Sequence, residues 1–311
     1  MIDKMKLAGV TDVFFHASCP DGTAAAMIVA DTFAGMEWAA EFHSVQYDTD
    51  FHNKLQPGPG QLFVDITPPL KRWEEWRGFD PIVLDHHETS MPAVEGLGGV
   101  YATNESHSGA KLAYENVAVP LMGGTDEWRR FAEVAMIRDT WKKDHPLWKE
   151  ACAQAYALST FGSEKLIEQV KQGTFRHALL KDLGDVLFSA NDRKAKLVAS
   201  GAVHDHFSAP GGEYKMAVFN CTEKILSDAA NELLDRGADV AVGFFFLHED
   251  GVTKAAVSIR TAGRVSARKI AEHNGGGGHD RAAGFTIAQA GAVSPLAIAA
   301  VIRGSVVAVA G

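Results

Sequence analysis

Three short groups of Asp, His and Cys residues follow apolar runs near the start of the chain. In chain order they are His16 with Cys19 and Asp21, then Asp65, then Asp85 with His86 and His87. Carboxylate and imidazole ligands together suit divalent ions such as Mn²⁺ or Zn²⁺. Two such ions about 3.5–4 Å apart can activate water and neutralise phosphate charge, which makes them a common means of phosphoester cleavage. The residue types therefore predict a metal-dependent phosphoesterase site, and Asp139, after the apolar run Val134–Ile137, is a further candidate ligand at a helix end.

Alternating strand and helix patterns must position these residues. Short apolar runs predict strands at Val13–Phe15, Ser44–Tyr47, Gln61–Ile66 and Pro81–Leu84. Helices are predicted between them at Thr23–Phe33 and Leu70–Trp76. This alternation favours an α/β fold with a mainly parallel sheet. Since ligands of such sheets bind beyond the carboxyl ends of the strands, all three groups are expected at one edge.

Each residue alone has a simpler interpretation. A single Asp at the end of a strand is usually a helix cap or a turn former, and a single His is usually a surface or hydrogen-bonded side chain. Three groups at the same sheet edge are harder to explain in this way, which favours the metal site.

The second half of the chain predicts a mainly helical stretch and then a smaller α/β domain. Helices are predicted at Glu127–Ile137 and Trp148–Leu158, with a long helix in Lys181–His206 whose clearest part is Ala190–Phe207. Beyond Pro210, strands are predicted at Tyr214–Phe219, Val240–Leu247 and Val252–Ile259, the last two joined by a turn at Asp250-Gly251, and helices at Ser227–Leu234 and Ser266–His273. The apolar run Pro295–Ala310 is interrupted by Arg303, which favours a packed terminal element over a membrane span.

The glycine run Gly275–Gly278, followed by His279, has two interpretations. Four glycines can form a flexible turn, or they can let backbone amides approach a phosphate closely. The run is not a P-loop, because no Lys-Ser or Lys-Thr pair follows it. If Arg260 lies near His279 in the fold, both side chains could donate hydrogen bonds to a phosphate.

Two motifs resemble those of the DHH family of phosphoesterases. Asp85-His86-His87 after an apolar strand resembles the signature that names the family, and Gly275–His279, followed by Arg281-Ala282-Ala283-Gly284-Phe285, resembles the glycine motif of its associated C-terminal domain. Ser258-Ile259-Arg260 resembles the serine-x-arginine element that precedes that motif. The motifs occur in the family's order and span most of the chain.

The resemblance implies a manganese-dependent hydrolase with a cleft between two domains. It implies a catalytic metal-binding domain at 1–190, a helical linker at 191–210 and a substrate-binding domain at 211–311. Asp65 would bridge two divalent ions, with Mn²⁺ favoured over Zn²⁺ or Mg²⁺, and Asp85 and His87 would support the ligands and the attacking water. The implied metal ligands are His16, Asp21, Asp65, His86 and Asp139, with Cys19 as a further candidate, and the implied substrate-binding residues are Arg260, Gly276, Gly277, Gly278 and His279.

The first motif departs from the family pattern at one position. Related enzymes carry Asp-x-Asp after the His, whereas here Asp21 and Gly22 are followed by Thr23, and His16 precedes Asp21 by one residue more than usual. Cys19 could compensate as a thiolate, which would favour a softer ion such as Zn²⁺, or it could be a small buried residue.

The charge balance favours small substrates. The formal net charge is −9, from 39 acidic and 30 basic residues, whereas proteins that hold long nucleic acids usually carry a basic face. We therefore expect the hydrolysis of dinucleotides, very short oligonucleotides or bisphosphorylated nucleotides in the manner of a nanoRNase (oligoribonuclease), without long duplex or membrane partners. The alternatives are a polyphosphate or pyrophosphate hydrolase and a catalytically inactive nucleotide sensor. Three scattered cysteines and the lack of a signal peptide pattern predict a cytoplasmic protein, and a homodimer is compatible with the sequence without being specified by any residue.

Overall fold

The computed structural model of the chain describes residues 2–47, 49–103, 106–249, 252–288 and 293–309, with the side chains of residues 223, 224 and 249 left out. The chain divides into two compact units, Met1–Phe188 and Ser189–Gly311. None of the helices in these described ranges is both long and apolar enough to cross a membrane.

The first unit contains a five-stranded sheet in the order β2-β1-β3-β4-β5, and every pair of neighbouring strands in it is parallel. The strands are β1 (Asp12–His16), β2 (Glu41–Val45), β3 (Gln61–Val64), β4 (Ile82–Asp85) and β5 (Val100–Tyr101). The predicted α/β class and parallel sheet are thus confirmed. The sequence analysis missed β5, because two residues are too few to produce a strand pattern.

Helices cover both faces of this sheet, and one of them, at Pro20–Gly35, is buried around most of its circumference. The helices are α1 (Lys4–Ala8), α2 (Pro20–Gly35), α3 (Asp50–Asn53), α4 (Met91–Gly96), α5 (Gly109–Ala113), α6 (Val119–Met122), α7 (Asp126–Asp139), α8 (Trp148–Phe161) and α9 (Ser163–Lys171). The Ala-rich α2 is buried from Asp21 through Ala30, as expected for a helix with apolar residues on all sides. The predicted helix at Leu70–Trp76 is instead a 3-10 helix at Trp73–Phe79.

Helix α10 (His177–Ser200) contains the division between the two units. The predicted helix Ala190–Phe207 is wrong beyond Ser200, because β6 (Val203–Ala209) is a strand. Gly201 interrupts the helical pattern, and β6 then pairs along its length with the next strand, from Val203 opposite Val218 to Ala209 opposite Gly212. The end of the predicted helical linker 191–210 therefore belongs to a sheet, since cross-strand pairing outweighs the local helical pattern.

The second unit contains a six-stranded mixed sheet in the order β10-β11-β9-β8-β7-β6, in which only the β7–β8 pair is parallel. Its other strands are β7 (Gly212–Asn220), β8 (Val240–Glu249), β9 (Val252–Thr261), β10 (Gly277–His279) and β11 (Ala282–Ile287), and its helices are α11 (Glu223–Asp235), α12 (Ala267–His273) and α13 (Pro295–Val309). The predicted pairing of the strands at 240–247 and 252–259 is confirmed. Asp250 and Gly251 of the predicted turn, and Ala310 of the predicted terminal element, lie outside the described residues.

Candidate metal centre

Asp65 lies at the centre of the carboxyl edge of the parallel sheet. It follows β3 directly, is fully buried, and has a left-handed backbone conformation with φ 61°. Its amide donates a hydrogen bond of 2.9 Å to the carbonyl of Leu84, at the end of the neighbouring strand. A residue other than glycine in this conformation is strained, and such strain is concentrated at functional sites.

Two glycines allow the backbone to close around the Asp65 carboxylate. A Cβ atom on Gly22, at the start of α2, would lie 2.4 Å from the carbonyl oxygen of His16 and 3.1 Å from Asp65 Oδ2. A Cβ atom on Gly109, at the start of α5, would lie 2.4 Å from Asp65 Cβ. Both positions therefore require glycine because of close approach, and α2 and α5 can pack directly against Asp65.

His86 faces three carboxylates through one ring nitrogen. Its Nε2 atom lies 3.0 Å from Asp65 Oδ1, 3.5 Å from Asp139 Oδ2 and 3.9 Å from Asp21 Oδ2. Ligand atoms of Asp21, His86 and Asp139 all lie within 4.8 Å of one another. Side chains from a strand end, a helix start and a helix end thus converge around one point, as the sequence analysis expected of Asp139.

The other oxygen of Asp65 faces a second group. His16 Nδ1 lies 3.5 Å from Asp65 Oδ2, and Cys19 completes a trio whose ligand atoms lie within 4.8 Å of one another. Within the described ranges, His16 Nδ1 and Asp65 Oδ2 are buried atoms without a hydrogen-bond partner. Buried polar atoms are rarely left without a partner in folded proteins, so this pair fits a bound cation.

The electrostatics of these groups also fit a cation. Burial, followed by the charges of Asp65 and Asp139, raises the pKa of Asp21 well above its ordinary value. Burial opposes the charged form of His86, but the carboxylates of Asp139, Asp65 and Asp21 prevail and raise its pKa well above its ordinary value. Like-charged carboxylates held this close repel one another, and a divalent ion between them would remove that cost.

The thiol of Cys19 is sensitive to the same charges. Burial, followed by the carboxylates of Asp65, Asp139 and Asp21, raises the pKa of this thiol well above its ordinary value. A bound cation would act in the opposite direction, because coordination deprotonates a thiol.

Asp85 lies beside the same centre and holds the His87 ring there. It has a ligand atom within 4.8 Å of those of Asp65, His86 and His87. Its Oδ1 atom accepts a hydrogen bond of 2.7 Å from the amide of His86. The same oxygen lies 2.7 Å from His87 Nδ1. Burial opposes the charged form of His87, but Asp85 prevails and raises the pKa of the His87 ring to about 9. Asp85 therefore orients His87 and favours its protonated form.

Sequence analysis missed several residues that hold the site together. Tyr47 donates from its hydroxyl to Asp85 Oδ2 at 3.1 Å, and its ring meets those of His16 and His87 edge to face. The buried Ser108 donates to Asp21 Oδ1 at 2.6 Å, and the amide of Ala110 donates to the same oxygen at 3.3 Å. The capping residue Ser108 before Gly109 was a visible signal of a helix start, but only the fold shows that this start meets Asp21.

Thr23 is the position at which the resemblance to DHH enzymes would place a second acid of the first motif. It is buried, and its amide donates to the carbonyl of Cys19 within the first turn of α2. It brings no charge to the site, so the negative charge around Asp65 comes from other residues.

Arg260 and His279 share one face of the sheet in the second unit. Both residues pair with Ala282, Arg260 from β9 and His279 from β10, and directly opposed residues in antiparallel strands point to the same face. The Arg260 guanidinium donates to Ser258 Oγ at 2.9 Å and to Ser227 Oγ, from α11, at 2.9 Å. The structure thus places the two predicted phosphate-binding side chains on one sheet face, with β11 between their strands, and fixes the orientation of the Arg260 guanidinium.

The glycine run divides into positions with different constraints. A Cβ atom on Gly276 would lie 2.1 Å from the carbonyl oxygen of Gly284, and Gly278 has φ +137° with its Cβ position 2.7 Å from the Ala282 carbonyl. By contrast, a Cβ atom on Gly277 would meet nothing within 4 Å among the described residues. Gly276 and Gly278 are therefore explained by the backbone alone, whereas Gly277 is an exposed position with room for a ligand.

Comparison with known proteins assigns the second unit. Residues 211–302 match the DHHA1 domain. The chain carries a DHHA1 domain and has the fold of DHH-family phosphoesterases. No curated protein matches the chain by sequence.

Solved structures extend the likeness over the whole chain. A DHH domain protein described as a member of a family of ribosomal proteins has a TM-score of 0.62 and 13% identity, with 98% of this chain and 88% of that chain covered. RecJ of Thermus thermophilus in complex with Mn²⁺ has a TM-score of 0.59 and 18% identity, over 97% of this chain and 53% of that chain. An exonuclease RecJ bound to manganese has a TM-score of 0.56 and 15% identity, over 96% and 90%. The DHH fold thus accounts for both units of the chain, and it includes proteins that bind manganese.

Proposed function

We propose that the chain is a phosphoesterase that hydrolyses phosphate esters of short nucleotides with two divalent ions. The observation that carries this proposal is the convergence of the Asp21, Asp65 and Asp139 carboxylates on His86 Nε2, at 3.0–3.9 Å. Two buried carboxylates and an exposed third one, gathered at the carboxyl edge of a parallel sheet, suit divalent ions far better than a structural role. Manganese in the RecJ structures with the same fold supports this ion class.

Asp65 would belong to both ion positions. One oxygen faces His86 at 3.0 Å and the other faces His16 at 3.5 Å, so a single carboxylate can bridge the two groups. Asp21 and Asp139 would complete the position beside His86, and Ser108 would hold Asp21 in place through its 2.6 Å hydrogen bond. When bound, such ions activate water and stabilise the charge that develops on phosphate.

Asp85 and His87 would act beside the ions. Asp85 uses one oxygen on the His86 amide and His87, and the other on the Tyr47 hydroxyl, which makes it a positioning group. His87, held in a fixed orientation, can donate a hydrogen bond to a phosphate oxygen or orient the attacking water.

Substrate binding would use the second unit. The fixed guanidinium of Arg260 on β9 and the ring of His279 on β10 lie on one face of the sheet, with β11 between their strands. Together with the open backbone at Gly277 they suit a phosphate group of a nucleotide. The net charge of −9 disfavours long nucleic acids, so we propose dinucleotides, very short oligonucleotides or bisphosphorylated nucleotides as substrates.

The test is the hydrolysis of an RNA dinucleotide with Mn²⁺, Mg²⁺, Zn²⁺ or no added metal, after removal of bound metal with a chelator. We expect turnover that requires metal, exceeds the turnover of short polyphosphate and is poor on long single strands. Faster hydrolysis of polyphosphate would replace the nucleotide proposal with a polyphosphatase. Tight dinucleotide binding without turnover at any metal would instead support the inactive sensor.

A further inference from the structure

The metal centre contains two ligand groups of different chemistry on either side of Asp65. One consists of Asp21, His86 and Asp139, which offer two carboxylates and one imidazole, and the other consists of His16, Cys19 and Asp65, which offer an imidazole, a sulfur and a carboxylate. Hard oxygen ligands suit Mn²⁺ and Mg²⁺, whereas sulfur selects softer ions such as Zn²⁺. The two positions should therefore differ in the ion they prefer.

The second group has buried atoms that need a partner. Asp65 Oδ2 and His16 Nδ1 lie 3.5 Å apart and are buried without a hydrogen-bond partner within the described residues. Asp65 as a whole is fully buried. A cation between Asp65 Oδ2, His16 Nδ1 and Cys19 Sγ would satisfy both orphaned atoms.

Cys19 lies at the start of α2, beside His16 and Asp65. It occupies the N-cap position of α2, where Ser, Thr, Asp and Asn are more usual than Cys. Its sulfur lies within 4.8 Å of ligand atoms of both His16 and Asp65, which places it within reach of the same ion.

Thr23 explains why a replacement ligand is needed. Thr23, two residues after Asp21, is buried and carries no charge, so it adds no carboxylate to the site. The extra residue between His16 and Asp21 belongs to the same loop as Cys19, so the loop both loses an acid and gains a sulfur.

We propose that Cys19 is a thiolate ligand of the ion held by His16 and Asp65. The two ion positions then differ in their preferred ion, with a zinc-class ion at this position and a manganese-class ion beside His86. The inference rests on the proposed two-ion centre and adds the identity of one ligand. On binding, the Cys19 thiol gives its proton to solvent and the sulfur donates an electron pair to the ion, so no oxidant or reductant is involved.

The test uses the full chain loaded with Co²⁺ in place of the native ions. Thiolate coordination produces a sulfur-to-cobalt charge-transfer absorption in the near ultraviolet. We expect this absorption in the wild type and in Cys221→Ser, a matched control at a half-buried cysteine of the second unit, and its loss in Cys19→Ser. Absence of the absorption in the wild type, or its persistence in Cys19→Ser, would overturn the proposal.

A competition experiment gives a second readout without catalysis. Cys19→Ser should bind Zn²⁺ at least about tenfold more weakly than the wild type, with little change for the first equivalent of Mn²⁺. Cys19→Asp should bind two ions again but shift the preference from Zn²⁺ towards Mn²⁺. Equal Zn²⁺ affinities of the wild type and Cys19→Ser would contradict thiolate coordination.

The inference and the proposed function can fail separately. A cobalt–thiolate absorption without hydrolysis of any dinucleotide would uphold the ligand and refute the function. Metal-dependent hydrolysis with spectra and Zn²⁺ affinity unchanged in Cys19→Ser would uphold the function and refute the ligand.

Discussion

The two units hold their charged candidate residues in opposite ways. In the first, the carboxylates of Asp21 and Asp65 are buried beside Asp139, and Asp65 Oδ2 has no hydrogen-bond partner among the described residues. In the second, Arg260 is held by hydroxyls of Ser227 and Ser258 and shares a sheet face with His279, two strands away.

This difference indicates what each unit requires. The first is electrostatically incomplete, because its like charges need a cation to lie this close. The second has a preorganised donor that needs no further partner to keep its geometry. Substitutions of these residues in the first unit should therefore lower metal binding and turnover, and substitutions in the second should lower substrate affinity.

Replacement of Asp65 should have the largest effect. Asp65→Ala removes the carboxylate that faces both ligand groups, so we expect turnover of a dinucleotide to fall by at least about 10³-fold, as a loss of several kcal/mol of charge stabilisation implies. Glu75→Ala, which breaks an exposed ion pair with Arg72, is a suitable control and should keep normal turnover. A near-normal rate of Asp65→Ala would show that the first unit does not depend on a bridging carboxylate.

Loss of the charge on Asp85 should have an intermediate effect on the rate. Asp85→Asn keeps the shape but weakens the contact that orients His87 at 2.7 Å, so we expect kcat to fall by about 10²-fold with little change of KM. Tyr47→Phe, which removes the 3.1 Å hydrogen bond to Asp85 but leaves the Asp85 carboxylate in place, should lower kcat by less than about tenfold. Steady-state kinetics of both variants test this order, and a larger loss in Tyr47→Phe would contradict it.

Arg260 should affect substrate affinity. Arg260→Ala removes a charged donor and should raise the KM for a dinucleotide by about 10- to 100-fold, with kcat nearly unchanged. Arg236→Ala, at an arginine paired with Glu232 on α11, is a matched control without this effect. A fall of kcat at constant KM would assign Arg260 to the chemical step, and it would contradict the expectation that the second unit determines substrate affinity.

The smallest effects should separate backbone from ligand roles in the glycine run. Gly276→Ala places a methyl group 2.1 Å from a carbonyl oxygen and should lower the free energy of unfolding by about 1–3 kcal/mol. Gly277→Ala, with open space at its Cβ position among the described residues, should leave thermal stability unchanged but raise KM a few-fold. Equal melting temperatures of the two variants would refute the backbone explanation.

Much of the candidate site could be predicted, because apolar runs mark buried strands and the residues after them share an edge in a parallel sheet. His16, Asp65 and His86 meet there for this reason. Asp139 ends α7, in line with the helical period that precedes it, and its role as a ligand stays a prediction.

The rest depends on contacts that no local pattern encodes. Ser108 meets Asp21 across 87 positions of the sequence, and Tyr47 was visible only as the end of a strand pattern. The helix predicted through Phe207 ends at Ser200, because pairing with β7 determines the state of residues 203–209. The roles of Gly22 and Gly109 follow only from the close approach of two helices to Asp65.

The most direct test of the two-ion centre is the number of ions bound per chain, measured by equilibrium dialysis and elemental analysis of the metal-free protein after addition of Mn²⁺ and Zn²⁺. We predict two ions per chain in the wild type and at most one, bound more weakly, in Asp65→Ala. A wild-type chain that binds a single ion, or an Asp65→Ala chain that still binds two with unchanged affinity, would contradict the account.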